Sequence, residues 1–288
     1  MTPHDYDFLR ALLKERSGLA LSADKHYLVE SRLLPVARRA GLGSLDALIA
    51  RIRAPDAAAA ALTVQVVEAM TTNESFFFRD KIPFEHFRTV VMPALLQARA
   101  GSRRIRIWCA AAAAGQEPYS VAICLREMAD RLLGWRVDIL ATDLSGEILE
   151  KAKSGIYSQF EAQRGLPIQM LLKYFTRIGD HWQVEPALRQ MVHFRPINLL
   201  HDFTPLGQFD VVFCRNVLIY FDQPTKTATL ERLARVTASD GYLLLGAAET
   251  VVGLTDLFKP VPDRRGLYAP NPAARPRPCA TVLQFARA

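Results

Sequence analysis

Residues 105–119 read IRIWCAAAAAGQEPY, and this stretch decides the fold class. A short apolar run typical of a strand leads into a loop of small residues, and Pro118 stands in the first turn of a helix. Four further apolar runs lie at 137–141, 191–194, 209–213 and 241–245. Helical stretches at 118–133, 145–153 and 224–239 lie between the runs, with Gly155 and Gly241 as stop signals. This alternation predicts an α/β domain with a mostly parallel sheet.

The rest of the chain divides around this α/β pattern. Residues 5–70 have apolar positions at helical spacing, broken near Gly18, Gly41 and Pro55. We therefore predict a helical N-terminal domain at 1–75, a linker helix region at 76–102 and the sheet domain at 103–269. Segment 156–190 departs from the alternation and predicts an inserted antiparallel subdomain with a helix and a small hairpin. Beyond Tyr268 the chain is too rich in proline to pack, so we expect a tail at 270–288, whose last eight residues can add a short element.

Composition narrows the class of protein. The 288 residues are 50% hydrophobic and 23% charged, which is typical of a folded globular chain of about two domains. The net charge of +7 favours an anionic partner without identifying it. The acidic opening MTPHDYD is unlike a targeting segment, and no apolar run approaches the roughly 18 residues of a membrane span. We expect a cytoplasmic protein with no membrane insertion.

The cysteines and histidines give no sign of a metal site. Cys109, Cys124, Cys214 and Cys279 show no C-x-x-C spacing, and the histidines form no H-x-x-x-H pair. We expect reduced cysteines and no bound metal.

The predicted strand ends indicate the ligand, because open parallel sheets bind ligands at the carboxyl ends of their strands. The loop after the first strand has neither the G-x-x-x-x-G-K-[ST] nor the G-x-G-x-x-G pattern, which argues against nucleoside triphosphates and dinucleotides. Glu117 favours a ligand that is cationic at that end, as S-adenosylmethionine is. Asp143 stands where a ribose-binding acid belongs, and Asn198 is placed to meet the adenine edge. Each residue alone fits an ordinary helix cap or turn equally well.

A family resemblance adds to this reading. TTNESFFFRD at 71–80 resembles the signature segment of the CheR family of chemoreceptor glutamate O-methyltransferases. Further blocks resemble that family in the same order: QEPYS at 116–120, ATD at 141–143, SGIY at 154–157, NLL at 198–200 and FCRNVLIYF at 213–221. The similarity covers about residues 5–270.

The resemblance implies an all-α domain followed by a Rossmann-like S-adenosylmethionine-dependent methyltransferase domain. It implies methyl transfer to glutamate carboxylates on the cytoplasmic helical domain of chemoreceptors, with S-adenosylhomocysteine as the product. Arg79 and Tyr220 match the positions that the family associates with catalysis. The family's cofactor contacts fall on Asn73, Ser75, Arg79, Glu117, Asp143, Asn198, Leu199, Arg215 and Asn216.

Two departures from the family pattern bear on function. The family commonly has G-C-S-T-G or a near variant in the first-strand loop, where this chain has Ala111 to Ala114 before Gly115. An alanine at positive φ would strain the cofactor site, whereas a positive φ at Gly115 alone would cost nothing. The loop at 177–181 in the inserted subdomain is also shorter than in members that dock on a receptor's C-terminal pentapeptide. We therefore expect a pentapeptide-independent enzyme.

An acceptor glutamate on a receptor helix leads to expectations about the chemistry and about substrate docking. A glutamate with its ordinary pKa of about 4.3 is already ionised at neutral pH, so the reaction needs alignment rather than a general base. Arg32, Arg38 and Arg39 can face outward from a predicted helix; they are either an ordinary solvated face or a docking surface for an acidic helix. We expect a monomer that binds no nucleic acid.

Two other classes compete with this interpretation. A nucleic-acid methyltransferase would share the cofactor and the basic charge, but the N-terminal region shows no RNA-binding signature. A non-catalytic regulatory protein that binds S-adenosylmethionine or S-adenosylhomocysteine is the stronger alternative, because the alanine loop departs from the family pattern.

Overall fold

The computed structural model describes residues 1–274, and four helices form its N-terminal part. They are α1 (Pro3–Ser17), α2 (His26–Arg39), α3 (Leu45–Ile52) and α4 (Ala57–Met70). The side chains of Thr2, Ser44 and Asp56 cap α1, α3 and α4 by accepting backbone N–H groups. Gly18 follows α1 at φ 79°, a conformation that favours glycine. The predicted all-α region is confirmed.

Apolar residues from all four helices form one core. Leu9, Leu13, Leu33, Leu48 and Val66 are fully buried in it. Leu144, which belongs to the sheet domain, packs against the same core. The two domains therefore share an apolar contact.

The segment between the domains is helical, as predicted, and packs on the sheet. It consists of α5 (Ile82–His86), a π-helical turn (Phe87–Val91) and α6 (Met92–Ala98). The rings of Phe84 and Phe87 are buried, with centroids 6.1 Å and 5.7 Å from that of Phe213 in the sheet.

Within the described part of the chain, ten strands follow in two sheets. In chain order they are β1 (Arg104–Ala110), β2 (Arg136–Asp143), β3 (Ile156–Ser158), β4 (Phe175–Ile178), β5 (His181–Val184), β6 (Val192–Pro196), β7 (Phe209–Cys214), β8 (Thr237–Leu245), β9 (Phe258–Pro260) and β10 (Leu267–Pro270). The large sheet has the order β6-β2-β1-β7-β8-β10-β9. Its first five strands run parallel, while β10 and β9 pair antiparallel. The predicted α/β sheet of five parallel strands is confirmed.

Six helices connect the strands: α7 (Gln116–Arg126), α8 (Gly146–Ser154), α9 (Gln159–Gln163), α10 (Ile168–Tyr174), α11 (Pro186–Arg189) and α12 (Gln223–Val236). The helix predicted at 118–133 is wrong at its end, because α7 stops at Arg126 and a short 3-10 helix follows at Ala129–Leu132. The helix predicted at 224–239 is also too long, since Thr237 already begins β8.

Gly241 is not a helix stop but a residue within β8. A Cβ there would lie 2.8 Å from the carbonyl oxygen of Asp210, so the two neighbouring backbones approach too closely for a side chain.

The predicted insertion forms a separate three-stranded antiparallel sheet, in the order β3-β5-β4. The β4–β5 hairpin is the one expected from the sequence, and Ile178 pairs with His181 across a turn of Gly179 and Asp180. Strand β3 is an addition that the sequence pattern did not indicate.

The expectation that the chain stops packing beyond Tyr268 is wrong for its first residues. Ala269 and Pro270 pair with Lys259 and Phe258 in β9, and the Asn271 N–H donates to the Leu257 carbonyl at 2.8 Å. Proline is tolerated because β9 is the last strand of the sheet. Residues 275–288 of the predicted tail, including Cys279 and the last eight residues, lie outside the described residues.

A charged cluster joins the linker region to the sheet at the start of β7. Arg99 Nε donates to Asp210 Oδ1 at 2.9 Å, and its two Nη atoms contact Asp240 at 2.7 Å and 2.6 Å. Asp210 Oδ2 accepts the backbone N–H of Arg106 at 2.7 Å. The cluster lies at the end of the sheet opposite to the strand termini that carry the predicted ligand site.

Within residues 1–274, no helix is long and apolar enough to cross a membrane.

Candidate functional site

The carboxyl ends of the parallel strands open into one cavity of about 940 Å³, a volume that includes its open mouth. Strand register creates this edge, since Cys109 in β1 pairs with Ala141 in β2 and with Phe213 in β7. The structure brings together every residue predicted to bind cofactor or act in catalysis. Those on the cavity wall are Asn73, Ser75, Arg79, Glu117, Asp143, Asn198, Leu199, Arg215, Asn216 and Tyr220.

The segment after α4 forms one wall of the cavity and is held by Arg32. Arg32 Nη1 donates to the carbonyls of Met70 and Thr71 at 2.6 Å and 3.0 Å, and its Nη2 donates to Thr72 Oγ1 at 2.9 Å. The expectation that Arg32 faces outward is therefore wrong, because both of its terminal nitrogens are engaged within the chain. Arg38 and Arg39 are exposed on α2, outside the cavity.

The phenylalanines of this segment contribute to packing. Phe77 is fully buried, with its ring edge-on to Tyr157 and Phe175 at centroid distances of 5.0 Å and 5.3 Å. The half-buried Phe76 lies between two guanidinium groups, 5.6 Å from that of Arg79 and 4.6 Å from that of Arg164. Arg79 Nη1 also donates to the Glu74 carbonyl at 2.9 Å. These contacts hold the side chain of Arg79 at the cavity wall.

The guanidinium of Arg215 is buried and hydrogen-bonded to several other residues of the site. It is 5% exposed, and its Nη1 donates to Glu117 Oε2 at 2.8 Å. Its Nη2 donates to Asp80 Oδ2 at 2.8 Å and to the Arg79 carbonyl at 2.7 Å. Arg215 thus fixes α7 and the 71–80 segment relative to β7.

Glu117 keeps one oxygen available to a ligand. Oε2 accepts from Arg215, whereas Oε1 has no hydrogen-bond partner among residues 1–274. Burial raises the pKa of Glu117, and the nearby Arg215 guanidinium opposes this shift only in part. A buried carboxylate with a free oxygen is well suited to a cationic group.

Asp143 fixes the first-strand loop. Its Oδ2 accepts the Ala113 N–H at 2.8 Å, and its Oδ1 accepts the Ser145 N–H at 3.1 Å. Burial raises the pKa of Asp143 against the opposing effect of these backbone hydrogen bonds. The helix cap of α8 is Ser145, so the alternative reading of Asp143 as a cap is wrong.

The first-strand loop is strained at two alanines. Ala111 and Ala113 have φ of 58° and 48°, in addition to Gly115 at 91°. A non-glycine residue in this region carries a cost of order 1 kcal/mol. The sequence left open whether an alanine or Gly115 alone has a positive φ. The structure has a positive φ at both alanines as well as at Gly115, so the loop is strained.

Asn198 has less freedom than its predicted role requires. Its Nδ2 donates to the Arg16 carbonyl at 2.6 Å, and its Oδ1 accepts the Leu200 N–H at 2.9 Å. Both ends of the amide are occupied within the chain, so the prediction that it meets an adenine edge is weakened. Leu199 beside it contributes apolar wall.

Two groups of residues at or next to the cavity were not indicated by the sequence pattern. Ser17, the last residue of α1, and Leu19, in the connection after it, line the cavity. Leu19 forms a β-bridge with Phe221, and the Ala20 N–H donates to the Tyr220 carbonyl at 2.8 Å. Glu249, after β8, accepts backbone N–H groups of the loop that precedes Tyr220. Both depend on contacts between segments far apart in the chain, which spacing along the chain does not reveal.

No group of three or more histidine, cysteine, aspartate or glutamate side chains within residues 1–274 is placed to hold an ion. Cys109, Cys124 and Cys214 are buried and free.

Comparison with known proteins identifies both parts of the chain. Residues 4–71 match the family model described as CheR methyltransferase, all-alpha domain, and residues 73–267 match CheR methyltransferase, SAM binding domain. Chemotaxis protein methyltransferase 1 of Pseudomonas aeruginosa is 42% identical over 91% of this chain and 96% of its own length. Chemotaxis protein methyltransferase Cher2 of Pseudomonas putida is 41% identical over the same shares of the two chains.

A solved structure of PKMT2 from Rickettsia typhi in complex with AdoHcy is much more distant. It covers 50% of this chain and 21% of its own, with 14% identity and a TM-score of 0.33. The family models and the two chemotaxis relatives carry the assignment: this chain is a member of the CheR methyltransferase family, and its cofactor is S-adenosylmethionine.

Proposed function

We propose that this chain transfers the methyl group of S-adenosylmethionine to glutamate side chains on the cytoplasmic helical domain of a chemoreceptor. The products are a glutamate methyl ester and S-adenosylhomocysteine. The observation that carries the proposal is that Arg79 and Tyr220 line the same cavity as the buried carboxylates of Glu117 and Asp143. The proposed substrate places the activity in the cytoplasm, and we expect the chain to act as a monomer.

The cavity residues fit the cofactor in charge and burial. We assign the free Oε1 of Glu117 to the ammonium group and Asp143 to the ribose diol. Asn73, Ser75, Leu199 and Asn216 supply further wall, while Arg215 acts by fixing Glu117. We retain Asn198 as a wall residue, since its amide is already hydrogen-bonded.

The chemistry requires alignment and charge placement more than proton transfer. Bound S-adenosylmethionine supplies an electrophilic methyl group. An acceptor glutamate is ionised at neutral pH, so this chain needs no general base. The planar guanidinium of Arg79 suits either the acceptor carboxylate or the carboxylate of the cofactor. The half-buried Tyr220 has a hydroxyl with no hydrogen-bond partner within residues 1–274, which leaves it available to orient the methyl group.

Charge on α2 supports docking of an acidic helix. Arg38 and Arg39 lie in the last turn of α2, both are exposed, and neither forms an ion pair with another described residue. Arg32 holds the cavity segment instead. We therefore restrict the proposed docking surface to Arg38 and Arg39.

The inserted subdomain supports independence from a receptor pentapeptide. Strands β4 and β5 are joined by Gly179 and Asp180 alone, the shortest common type of hairpin loop. No long glycine-bearing loop extends from this hairpin to take up a peptide.

The first prediction tests the reaction itself. Tritiated S-adenosylmethionine and a receptor fragment should give a product that releases volatile methanol in alkali, as a carboxyl methyl ester does. Arg79→Ala and Tyr220→Phe should each lower kcat by about 100-fold or more, because each removes a group that positions the reacting atoms. Their affinity for S-adenosylhomocysteine, measured by calorimetry, should change by less than about threefold.

Arg131→Ala is the matched control, since Arg131 is exposed in the 3-10 helix after α7 and outside the cavity. Loss of affinity as large as the loss of kcat would reassign Arg79 and Tyr220 to cofactor binding. A wild-type protein that binds S-adenosylhomocysteine tightly but yields no methanol would instead support the non-catalytic regulatory alternative, which the strained alanine loop favours.

The second prediction concerns pH. Because burial raises the pKa values of Glu117 and Asp143, both carboxylates should be neutralised at a higher pH than ordinary carboxyl groups. Affinity for S-adenosylhomocysteine should therefore weaken as pH falls from about 7 to about 5. Glu117→Gln should weaken binding about tenfold at neutral pH and flatten the calorimetric profile, with Asp143 left as the remaining buried carboxyl on the cavity wall.

Glu127→Gln at the end of α7 is the control, because Glu127 pairs with Lys173 away from the cavity. The same steep profile in Glu117→Gln and wild type would exclude Glu117 as the group that holds the ammonium.

The third prediction concerns docking. Reversing both charges in Arg38→Glu/Arg39→Glu should raise KM for a receptor fragment about tenfold with little change in kcat, because the opposing charges then repel the acidic helix. Wild-type turnover at low substrate should fall between about 50 and about 500 mM salt. The control variant Arg131→Glu should retain wild-type KM, and equal KM values for all three proteins would rule out this docking surface.

The fourth prediction concerns the receptor pentapeptide. Receptor fragments with and without their C-terminal pentapeptide should be methylated with kcat/KM values within about twofold of each other. Titration with the free peptide should show no binding in the micromolar range. Micromolar affinity would show that the short hairpin is sufficient for peptide capture.

A further inference from the structure

Glu249 has an unusual set of hydrogen bonds for a single side chain. It is 9% exposed and lies just after β8. Its Oε2 accepts two backbone N–H groups and its Oε1 accepts three. The donors are Gly246 (2.7 Å) and Asn216 (2.8 Å) on Oε2, and Val217 (2.9 Å), Leu218 (2.7 Å) and Ile219 (3.3 Å) on Oε1.

Four of these donors are consecutive, and together they form the turn between β7 and Tyr220. Successive N–H groups pointing at one centre make a concave site for an anion, which the Glu249 carboxylate occupies. Hydrogen bonds to an ionised acceptor are roughly twice as strong as those between neutral groups. Within residues 1–274, Glu249 forms no salt bridge, so backbone amides surround its carboxylate.

The backbone around the carboxylate is shaped to admit it. Asn216 has φ of 58°, a left-handed conformation that asparagine tolerates better than most non-glycine residues. A Cβ at Gly246 would lie 2.7 Å from Glu249 Oε2 and 2.9 Å from the Asn216 nitrogen. Gly246 is therefore needed for β8 to come this close to the turn.

The turn ends in the proposed catalytic tyrosine. Leu218–Tyr220 is a short 3-10 helix, and Asn216, Val217 and Tyr220 line the cavity. On its far side, the Tyr220 carbonyl is held by the Ala20 N–H. The carboxylate therefore restrains the turn from one side and the N-terminal domain from the other.

We propose that Glu249 is a positioning residue for methyl transfer, which sets the place of Tyr220 in the cavity through the backbone of 216–219. This inference rests on the proposed function, in which Tyr220 orients the transferred methyl group. It assigns Glu249 no contact with the cofactor or the acceptor.

The test compares Glu249→Gln with Asp210→Asn. Both substitutions neutralise a buried carboxylate that accepts backbone N–H groups, five at Glu249 and that of Arg106 at Asp210, which also pairs with Arg99. Asp210 lies at the opposite end of β7 from the cavity. Glu249→Gln replaces one acceptor oxygen by an NH₂ group that faces N–H donors. In Glu249→Gln, kcat should fall about tenfold or more, and this fold-change should exceed any fold-change in affinity for S-adenosylhomocysteine. In Asp210→Asn, Tm should fall but kcat should stay within about twofold of wild type, measured at a temperature where both variants are folded.

Hydrogen exchange supplies a readout that does not need activity. The amides of 216–219 should exchange faster in Glu249→Gln than in wild type and should be unchanged in Asp210→Asn. Gly246→Ala disturbs the same turn from the strand side and should reproduce the loss of kcat, which keeps the test decisive should the glutamine variant fold poorly.

The outcomes separate the two proposals. Wild-type kcat or wild-type exchange in a folded Glu249→Gln protein overturns the positioning role, as does a loss of kcat that Asp210→Asn shares at equal Tm. A wild-type enzyme that yields no methyl ester overturns the proposed function. In that case, faster hydrogen exchange at 216–219 in Glu249→Gln would still show that the Glu249 carboxylate restrains this turn. Unchanged exchange would show that it does not.

Discussion

The buried guanidinium of Arg215 ties together the three segments on which the cavity depends. Through Glu117 it positions the start of α7, and through Asp80 and the Arg79 carbonyl it positions the segment that follows α4. Removing two charges from water is costly, and only well-placed partners compensate for it. A buried pair of this kind is weak evidence for stability, but it accounts for how short polar segments at a sheet edge hold one shape.

The second constraint is that the cavity is shared by two domains. Arg32 of α2 holds the segment at 70–72, and Glu68 of α4 accepts the N–H of Gly146 at 2.6 Å, at the first residue of α8. Glu68 is thus an acidic side chain at a helix N-terminus, where the helix dipole favours it. The N-terminal domain therefore supplies part of the wall and also supports the loop that carries Asp143.

The parallel strands were predicted because they read as short apolar runs, and β1 and β7 are buried along most of their length. Strands β9 and β10 were missed, since they have three and four residues and include Pro260 and Pro270. The site residues on the wall were found because they follow strand ends or match family motifs. Arg32 was misread because its partners lie 38 to 40 residues away, and Glu249 was missed because its partners are backbone groups about 30 residues upstream. Hydrogen bonds between residues this far apart cannot be predicted from the residues next to Arg32 or Glu249 in the chain.

The contact at Gly18 shows how a cavity formed by two domains affects the stability of the whole chain. A Cβ there would lie 2.8 Å from the Phe221 ring, so the N-terminal domain sits directly against the residue after Tyr220. Residues of both domains line the cavity, so a ligand that contacts both walls adds its binding energy to the docked arrangement. Occupancy thereby acts as a non-covalent crosslink, and the loaded protein gains cooperativity between its two cores.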